Sequence, residues 1–261
     1  MSYIGAVSKA PFGLALTSVV VEALRSVGNH AELVGLMEAV TREMLFRHYA
    51  LIHHEDLRHR PPHLVDLKDY PPAIIERLIG EQRYRRDPVI RACIFADGAF
   101  LWSDLDRLIR IDRQDRASLD AGARVGLNEG ITVPYVRLGE RMGSCTFAGT
   151  KAPEHVHRFL GAAQMIGIFA FQAARKLVSG LMPQGSSALK LHPRPRDCVV
   201  LAGRGYSNKE IARALSLTPR TVDGYLTDAR RLFAAHDRTE LVVSAVLAGE
   251  VGLHELRRQP E

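Results

Sequence analysis

The chain has few cysteines and no long apolar run. Its three cysteines, Cys93, Cys145 and Cys198, are too far apart in sequence for a disulfide framework or a paired-cysteine metal motif. No stretch approaches the ~18 consecutive apolar residues of a membrane-spanning helix. The apolar run near the N-terminus lacks a preceding basic cluster, which favours an amphipathic first helix over a signal peptide. We therefore expect a cytoplasmic protein without a membrane span.

Common enzyme motifs are also missing. His54 begins a near-match to the His-Glu-x-x-His zinc motif, but Arg58 occupies the position of the second histidine and His59 comes one residue late. A loose metal site that includes Asp56 and His63 is an alternative to a polar loop. Neither Gly-x-Ser-x-Gly nor a phosphate-binding P-loop occurs. We expect no catalytic residues, no cofactor and no resident metal.

Basic residues exceed acidic ones, and the excess is concentrated in one segment. The whole chain carries 35 Lys and Arg against 29 Asp and Glu, and this net charge of +6 is weak evidence for an acidic partner. Between Ser187 and Arg231, however, nine basic residues stand against four acidic ones. The partner of this segment is therefore predicted to be acidic.

The chain divides near a stretch rich in Gly, Ser and Pro. Its 261 residues allow one large domain or two modest ones, at ~100–200 residues per domain. Residues 179–190 lack hydrophobic periodicity and are typical of a linker. We predict one domain over residues 1–178 and a second over residues 191–261.

The first domain is predicted to mix helices and strands. Helical spacing of apolar residues favours helices over 16–27, 32–47, 111–124 and 153–177. Strand patterns occur at 49–54, 130–137 and 142–149, and the short gap before residue 142 favours a hairpin. This order predicts an α+β fold in which helices cover an antiparallel sheet, without βαβ alternation.

The second domain is predicted to be all helical. Ser207 and Glu210 form a capping-box pattern before a helix over residues 208–215. Thr218 can cap the next helix, with Pro219 at its first position. Two short helices joined by a three-residue turn, with basic residues on the second, indicate a DNA-binding helix-turn-helix. The residues expected to contact DNA are Ser207, Lys209, Thr218, Arg220, Thr221, Asp223, Gly224, Tyr225, Arg230 and Arg231.

These residues carry a resemblance to the LuxR-type DNA-binding domain. The match covers about 60 residues, and its most specific parts are Ser-Asn-Lys-Glu-Ile-Ala at 207–212 and Thr-Pro-Arg-Thr-Val at 218–222. Tyr225 replaces the family's usual His, and Leu232 stands where a Lys commonly meets the DNA backbone. Asp223 and Gly224 are also uncommon. The resemblance implies DNA binding with a shifted target sequence and fewer phosphate contacts.

Residues 30–175 resemble the autoinducer-binding domain of the same family. Asp87-Pro88-Val89, Trp102 and the segment 123–134 carry this resemblance. It implies an α/β/α sandwich enclosing an acyl-homoserine lactone. Asp87 would accept the ligand's amide N–H, Trp102 would pack over its head group, and Thr146 would line the pocket. Pro88 and Tyr84, near Asp87, are also expected to contact the ligand.

Two positions depart from the autoinducer-binding pattern. Ile74 stands where the family has a Trp that donates to the lactone carbonyl, and Leu78 stands where the family has a Tyr that donates to the acyl carbonyl. Neither Ile nor Leu has a donor, and each unmatched carbonyl costs about 1–3 kcal/mol. We therefore expect the ligand to be something other than an ordinary acyl-homoserine lactone.

Together these features predict a homodimeric, ligand-responsive, sequence-specific transcription regulator. Its expected partners are an operator in double-stranded DNA, a small-molecule signal and RNA polymerase. Two alternatives remain, a ligand-independent regulator and a protein that sequesters a homologous activator in mixed dimers. The candidate dimer surfaces are the helix 153–177 and a last helix that carries Val242, Val243, Val246 and Leu247.

Overall fold

A computed structural model describes residues 14–54, 64–76, 86–137, 141–179 and 190–257. Contacts divide the chain into two units, residues 1–183 and 184–261. The predicted linker 179–190 lies outside the described residues except at its two ends. No helix within the described ranges is both long and apolar enough to cross a membrane.

The first unit has an antiparallel sheet between two layers of helices. Its strands are β1 (Phe46–His53), β2 (Asp66–Lys68), β3 (Phe100–Leu101), β4 (Gly130–Tyr135) and β5 (Gly143–Thr150). Their order in the sheet is β2-β1-β5-β4-β3, and every pairing is antiparallel. The predicted α+β class and the predicted pairing of the strands at 130–137 and 142–149 are confirmed.

The main core lies on one face of this sheet. Three helices cover that face: α1 (Leu14–Ser26), α2 (His30–Glu43) and α7 (Leu160–Ser179). Alternate strand residues such as Leu51, Phe147 and Ile131 point into the core and are fully buried. Gly143 is required for the close approach of α7, because a Cβ there would lie 2.2 Å from Cζ of Phe171.

The opposite face of the sheet meets short helices. These are α3 (Pro72–Ile75), α4 (Pro88–Ala92), α5 (Leu105–Leu108) and α6 (Arg113–Arg124). An ion pair links α4 to α6: Arg91 Nη1 lies 2.8 Å from Oδ1 of Asp115, whose side chain is only 5% exposed. Asp115 also closes the capping box of α6 with Asp112. The space between these helices and the sheet forms the cavity described below.

Two helix predictions need correction. The predicted helix 32–47 ends at Glu43, because Leu45 has a left-handed backbone with φ +63° and the chain then enters β1. The predicted helix 153–177 begins with a 3-10 helix, Pro153–Phe159, before α7 starts at Leu160.

Within residues 190–257, the second unit has four α-helices around its own core. They are α8 (Pro193–Gly203), α9 (Asn208–Leu215), α10 (Pro219–Leu232) and α11 (Arg238–Leu247). Val199, Ile211, Val222 and Leu241 are fully buried at its centre. The α9–α10 turn passes through Ser216, which has φ +55°. The predicted helix-turn-helix is thus present.

Part of the basic excess in this unit holds its own fold together. Arg196 donates to the Glu250 carbonyl at 2.8 Å and pairs with Glu255 at 2.7 Å. Arg204 donates to the Glu255 carbonyl at 2.6 Å. Arg196 and Arg204 thus connect α8 to the C-terminal segment. Because their charges are used within the unit, fewer basic side chains are available to an acidic partner than the sequence count suggests.

The candidate dimer surface on α11 is only partly exposed. Val246 is buried in the core of the second unit and Val242 packs against that core, so the prediction is wrong for Val246. Val243 and Leu247 are about half exposed, and both stay candidates for an interface.

Candidate functional site

A cavity of about 70 Å³ lies between the sheet and the short helices of the first unit. It is roughly the volume of two water molecules. Its wall comes from strands β1 and β5 and from helices α4 and α6. The segment that leads into α3 and the residues after β3 complete it. The lining residues are Ile52, Tyr70, Ile74, Asp87, Val89, Ile90, Trp102, Ser118, Leu119, Gly122, Leu127, Ser144 and Thr146.

Asp87 combines a structural position with a place in the cavity wall. Its Oδ1 accepts hydrogen bonds from the backbone N–H groups of Val89 at 3.0 Å and Ile90 at 3.1 Å, and it thereby caps α4. Pro88 is buried at the first position of that helix and does not line the cavity. The helix cap fixes the Asp87 carboxylate at the wall, whatever else it contacts.

A chain of hydrogen-bonding groups runs along the same wall. The indole Nε1 of Trp102 donates to Thr132 Oγ1 at 3.0 Å, and Thr132 Oγ1 lies 3.0 Å from Thr146 Oγ1. The Tyr70 hydroxyl lies in the same wall, close enough for Thr146 to influence its pKa. Burial and the nearby charge of Asp87 raise the pKa of Tyr70 above its usual range, against a smaller lowering by Thr146. The Tyr70 hydroxyl is therefore neutral across the physiological range.

Of the two positions that depart from the autoinducer-binding pattern, the structure describes only Ile74. Ile74 is 8% exposed and lines the cavity beside Leu127, so an apolar side chain occupies that part of the wall. Leu78 and the predicted ligand contact Tyr84 lie outside the described residues.

Sequence reasoning missed Tyr70 and Ser144. Ser144 lies two residues before Thr146 on β5, and side chains two apart in a strand share one face. That alternation was the signal available in the sequence. Tyr70 directly precedes the two prolines that open α3, and no local pattern marks it as a cavity residue.

Ser144 is backed by a buried histidine. His54 Nε2 lies 2.9 Å from Ser144 Oγ, and Nδ1 of His54 is buried without a hydrogen-bond partner among the described residues. Burial and the neighbouring His53 lower the pKa of His54 to about 4. The imidazole is consequently neutral at pH 7, with one donor and one acceptor nitrogen.

The histidine-rich segment that resembled a zinc motif is described only in part. His53 accepts a hydrogen bond from the Val65 N–H at 2.8 Å and packs edge-on against Phe171. Within the described ranges, no three potential metal ligands come together. Asp56, Arg58, His59 and His63 lie outside those ranges.

The second candidate site is the start of α10. Thr218 Oγ1 accepts a hydrogen bond from the Thr221 N–H at 3.1 Å and lies 2.8 Å from Thr221 Oγ1. The predicted cap is therefore present, as is the capping box of Ser207 and Glu210 on α9. Pro219 has no backbone N–H, and the N–H groups of Thr221 and Val222 bond Thr218, so the Arg220 N–H is left at this helix start for an anion such as a phosphate.

The remaining predicted DNA contacts differ in exposure. Lys209, Arg220, Asp223, Gly224 and Arg231 are exposed, whereas Tyr225 and Arg230 are partly buried. Tyr225 packs against the core of the second unit, and Arg230 Nη2 donates to Thr227 Oγ1 at 3.0 Å. Arg231 Nη1 lies 3.5 Å from Asp228 Oδ1 in an exposed ion pair. The exposed members lie mostly along one side of α10.

A cavity within an α/β/α unit and a helix-turn-helix unit further along the chain are together typical of transcription regulators that carry a sensor domain. Comparison with protein families supports this class. Residues 29–177 match the autoinducer binding domain, and residues 190–245 match the family described as bacterial regulatory proteins, luxR family. The chain therefore belongs to the LuxR family of transcriptional regulators.

Two relatives share about a quarter of their aligned residues with this chain. The HTH-type transcriptional regulator y4qH of Sinorhizobium fredii is 27% identical over 191 residues, covering 72% of this chain and 57% of y4qH. The transcriptional activator protein AhyR of Aeromonas hydrophila is 23% identical over 193 residues, covering 72% of this chain and 74% of AhyR. The alignment thus spans little more than half of y4qH.

Two solved structures share the fold. SdiA in complex with octanoyl-rac-glycerol has a TM-score of 0.58 at 17% identity and covers 90% of this chain and 94% of SdiA. A crystal structure of Escherichia coli SdiA has a TM-score of 0.57 at 16% identity and covers 90% of this chain and 98% of SdiA. At this identity the likeness concerns the fold.

Proposed function

We propose that the chain is a homodimeric, sequence-specific DNA-binding regulator whose activity depends on a small molecule in the cavity of its first unit. The observation that carries the proposal is the wall around Asp87, where a helix cap holds a carboxylate beside apolar surface. A carboxylate accepts hydrogen bonds, so the ligand should present a donor there. Ligand binding would then favour one arrangement of the regulator over another.

The ligand is, in this proposal, something other than an ordinary acyl-homoserine lactone. Ile74 supports this, because it lines the cavity at the position where the resemblance places a donor Trp. Tyr70 adds a polar hydroxyl group to the same wall. The described residues therefore account for one missing donor, and its loss corresponds to roughly one to two orders of magnitude in lactone affinity.

An uncharged amphipathic acyl compound with hydroxyl groups fits this wall better. Its hydroxyl can donate to Asp87, and its chain can contact Ile74 and Leu127. SdiA, which shares the fold, was solved with octanoyl-rac-glycerol, a compound of this kind. Pockets for drug-sized ligands have volumes of about 300–1,000 Å³, so the cavity of about 70 Å³ has to widen to enclose such a ligand.

Calorimetry on the full chain tests the ligand proposal. We expect 1-octanoylglycerol to bind more tightly than N-octanoyl-homoserine lactone. Ile74→Trp should raise lactone affinity about 10-fold by adding an indole N–H, as expected for about 1.4 kcal/mol. Ile74→Phe is the matched control, since it adds an aromatic ring without a donor. Nanomolar lactone binding by the unaltered chain would refute the proposal.

Operator footprinting tests the DNA proposal. A homodimer should protect two half-sites about one helical turn apart. Arg220→Ala should abolish specific protection, whereas Arg107→Ala, at an exposed site in the first unit, should leave it unchanged. Near-wild-type operator affinity of the Arg220 variant would mean that α10 is not the reading helix. A homodimer that protects no DNA would favour sequestration of a homologous activator.

A further inference from the structure

One side of α10 carries two acidic residues among its exposed positions, and Asp223 is the one nearer the start of the helix. Arg220, Asp223, Gly224, Asp228 and Arg231 are exposed and recur at intervals of three and four residues, which places them on one helix face. The opposite face, with Val222, Leu226 and Ala229, is buried. Residues near the start of a recognition helix contact base edges in the major groove. Asp223 is the fifth residue of α10 and lies one turn after Arg220.

The Asp223 carboxylate is oriented by a network that reaches across the helix-turn-helix. Asn208 Nδ2 donates to Asp223 Oδ1 at 3.3 Å, and Arg238 Nη1 donates to Asn208 Oδ1 at 2.9 Å. Arg238 also donates to the Tyr206 carbonyl, so the start of α11 fixes the start of α9. No described residue hydrogen-bonds Oδ2 of Asp223, which leaves an oriented acceptor on the exposed face.

The space around this acceptor is open. Gly224 follows Asp223 on the same face, and no atom lies within 4 Å of where its Cβ would stand. A glycine within a helix costs roughly 1 kcal/mol relative to alanine. A bare backbone beside Asp223 lets the helix approach a surface closely at this point.

We infer that Asp223 determines base specificity by accepting a hydrogen bond from the N4 amino group of a cytosine in the major groove. An ionised carboxylate only accepts hydrogen bonds, and phosphates repel it. The base-edge donors of the major groove are cytosine N4 and adenine N6. Adenine places the N7 lone pair beside N6, and that lone pair repels a second acceptor. Cytosine therefore suits a carboxylate, whereas an amide side chain matches both N6 and N7 of adenine.

This inference rests on the proposed DNA-binding function, and it predicts a change of specificity. Asp223→Asn keeps an oxygen that accepts from Asn208, so the contact within the protein is retained. The substitution replaces one acceptor by an amide donor. The preferred base at one position of each half-site should then change from cytosine to adenine, by about 10-fold or more in relative affinity.

Selection from a randomised duplex library measures this preference. The full chain, Asp223→Asn and Asp223→Ala are compared at low ionic strength, with and without 1-octanoylglycerol. Asp228→Asn is the matched control, since it removes the same charge five residues further along α10. We expect a cytosine preference in the wild type and the control, adenine in Asp223→Asn, and no preference at that position in Asp223→Ala.

The outcomes separate this inference from the function on which it rests. If the wild type selects a sequence and both Asp223 variants select the same one, the inference is wrong and DNA binding stands. If the wild type selects no sequence, the proposed function fails and the inference fails with it. A base change in Asp228→Asn as well would assign the effect to charge alone and would also overturn the inference.

Discussion

Acidification should destabilise the first unit through His54. The folded unit lowers the pKa of His54 to about 4, from an ordinary value near 6.5. Below pH 6.5 the unfolded chain therefore binds a proton that the folded chain excludes, and stability falls as pH falls towards 4. Each pH unit in this window corresponds to about 1.4 kcal/mol of unfolding free energy. Lowering the pH from 7 to 5 should therefore reduce the unfolding free energy by about 2 kcal/mol through this residue.

Urea unfolding followed by tryptophan fluorescence measures the effect. Trp102 is the chain's one tryptophan and lies in the cavity wall, so its emission reports on the first unit. His54→Gln retains an amide that can reach Ser144 and removes the titrating group. Between pH 7 and pH 5, the unfolding free energy of the wild type should fall by about 2 kcal/mol more than that of this variant. His157→Gln, at an exposed histidine of the same unit, should behave like the wild type. Equal losses in the wild type and in His54→Gln would refute the reasoning.

Three further substitutions have expected effects on stability. Gly143→Ala should lower the unfolding free energy of the first unit by about 1–3 kcal/mol in the same urea assay, because the added methyl meets the Phe171 ring. Asp115→Asn should cost about 1–3 kcal/mol there, since Arg91 loses its buried anion. Thr218→Ala should cost about 1 kcal/mol in the second unit, measured by circular dichroism. An unchanged urea midpoint in any of the three would contradict its stated cause.

Local chemistry explains why the second unit could be predicted closely from sequence. The capping box at Ser207 and the cap at Thr218 act within three residues, and α9 occupies the predicted residues 208–215. The helix predicted over 32–47 was too long, because its apolar spacing continues past Glu43. The left-handed backbone of Leu45 that ends it is imposed by the entry into β1.

The cavity could be predicted only in part, because its wall depends on strand register. Asp87, Trp102 and Thr146 were predicted from the resemblance, and all three line it. Ser144 enters the wall because it lies opposite Ile52 in the β1–β5 pairing. Shifting that register by one residue would turn Ser144 to the other face of the sheet. No motif within the sequence specifies the pairing.

The donor and acceptor roles of the hydrogen-bonding groups in the cavity wall are set first at Trp102. An indole N–H can only donate, so Thr132 accepts from Trp102 and its own proton is available to Thr146. Thr146 lowers the pKa of the Tyr70 hydroxyl, whereas burial and the nearby charge of Asp87 raise it. A molecule entering the cavity therefore meets hydroxyl groups and a carboxylate in one stretch of the wall, beside the apolar side chains of Ile74 and Leu127.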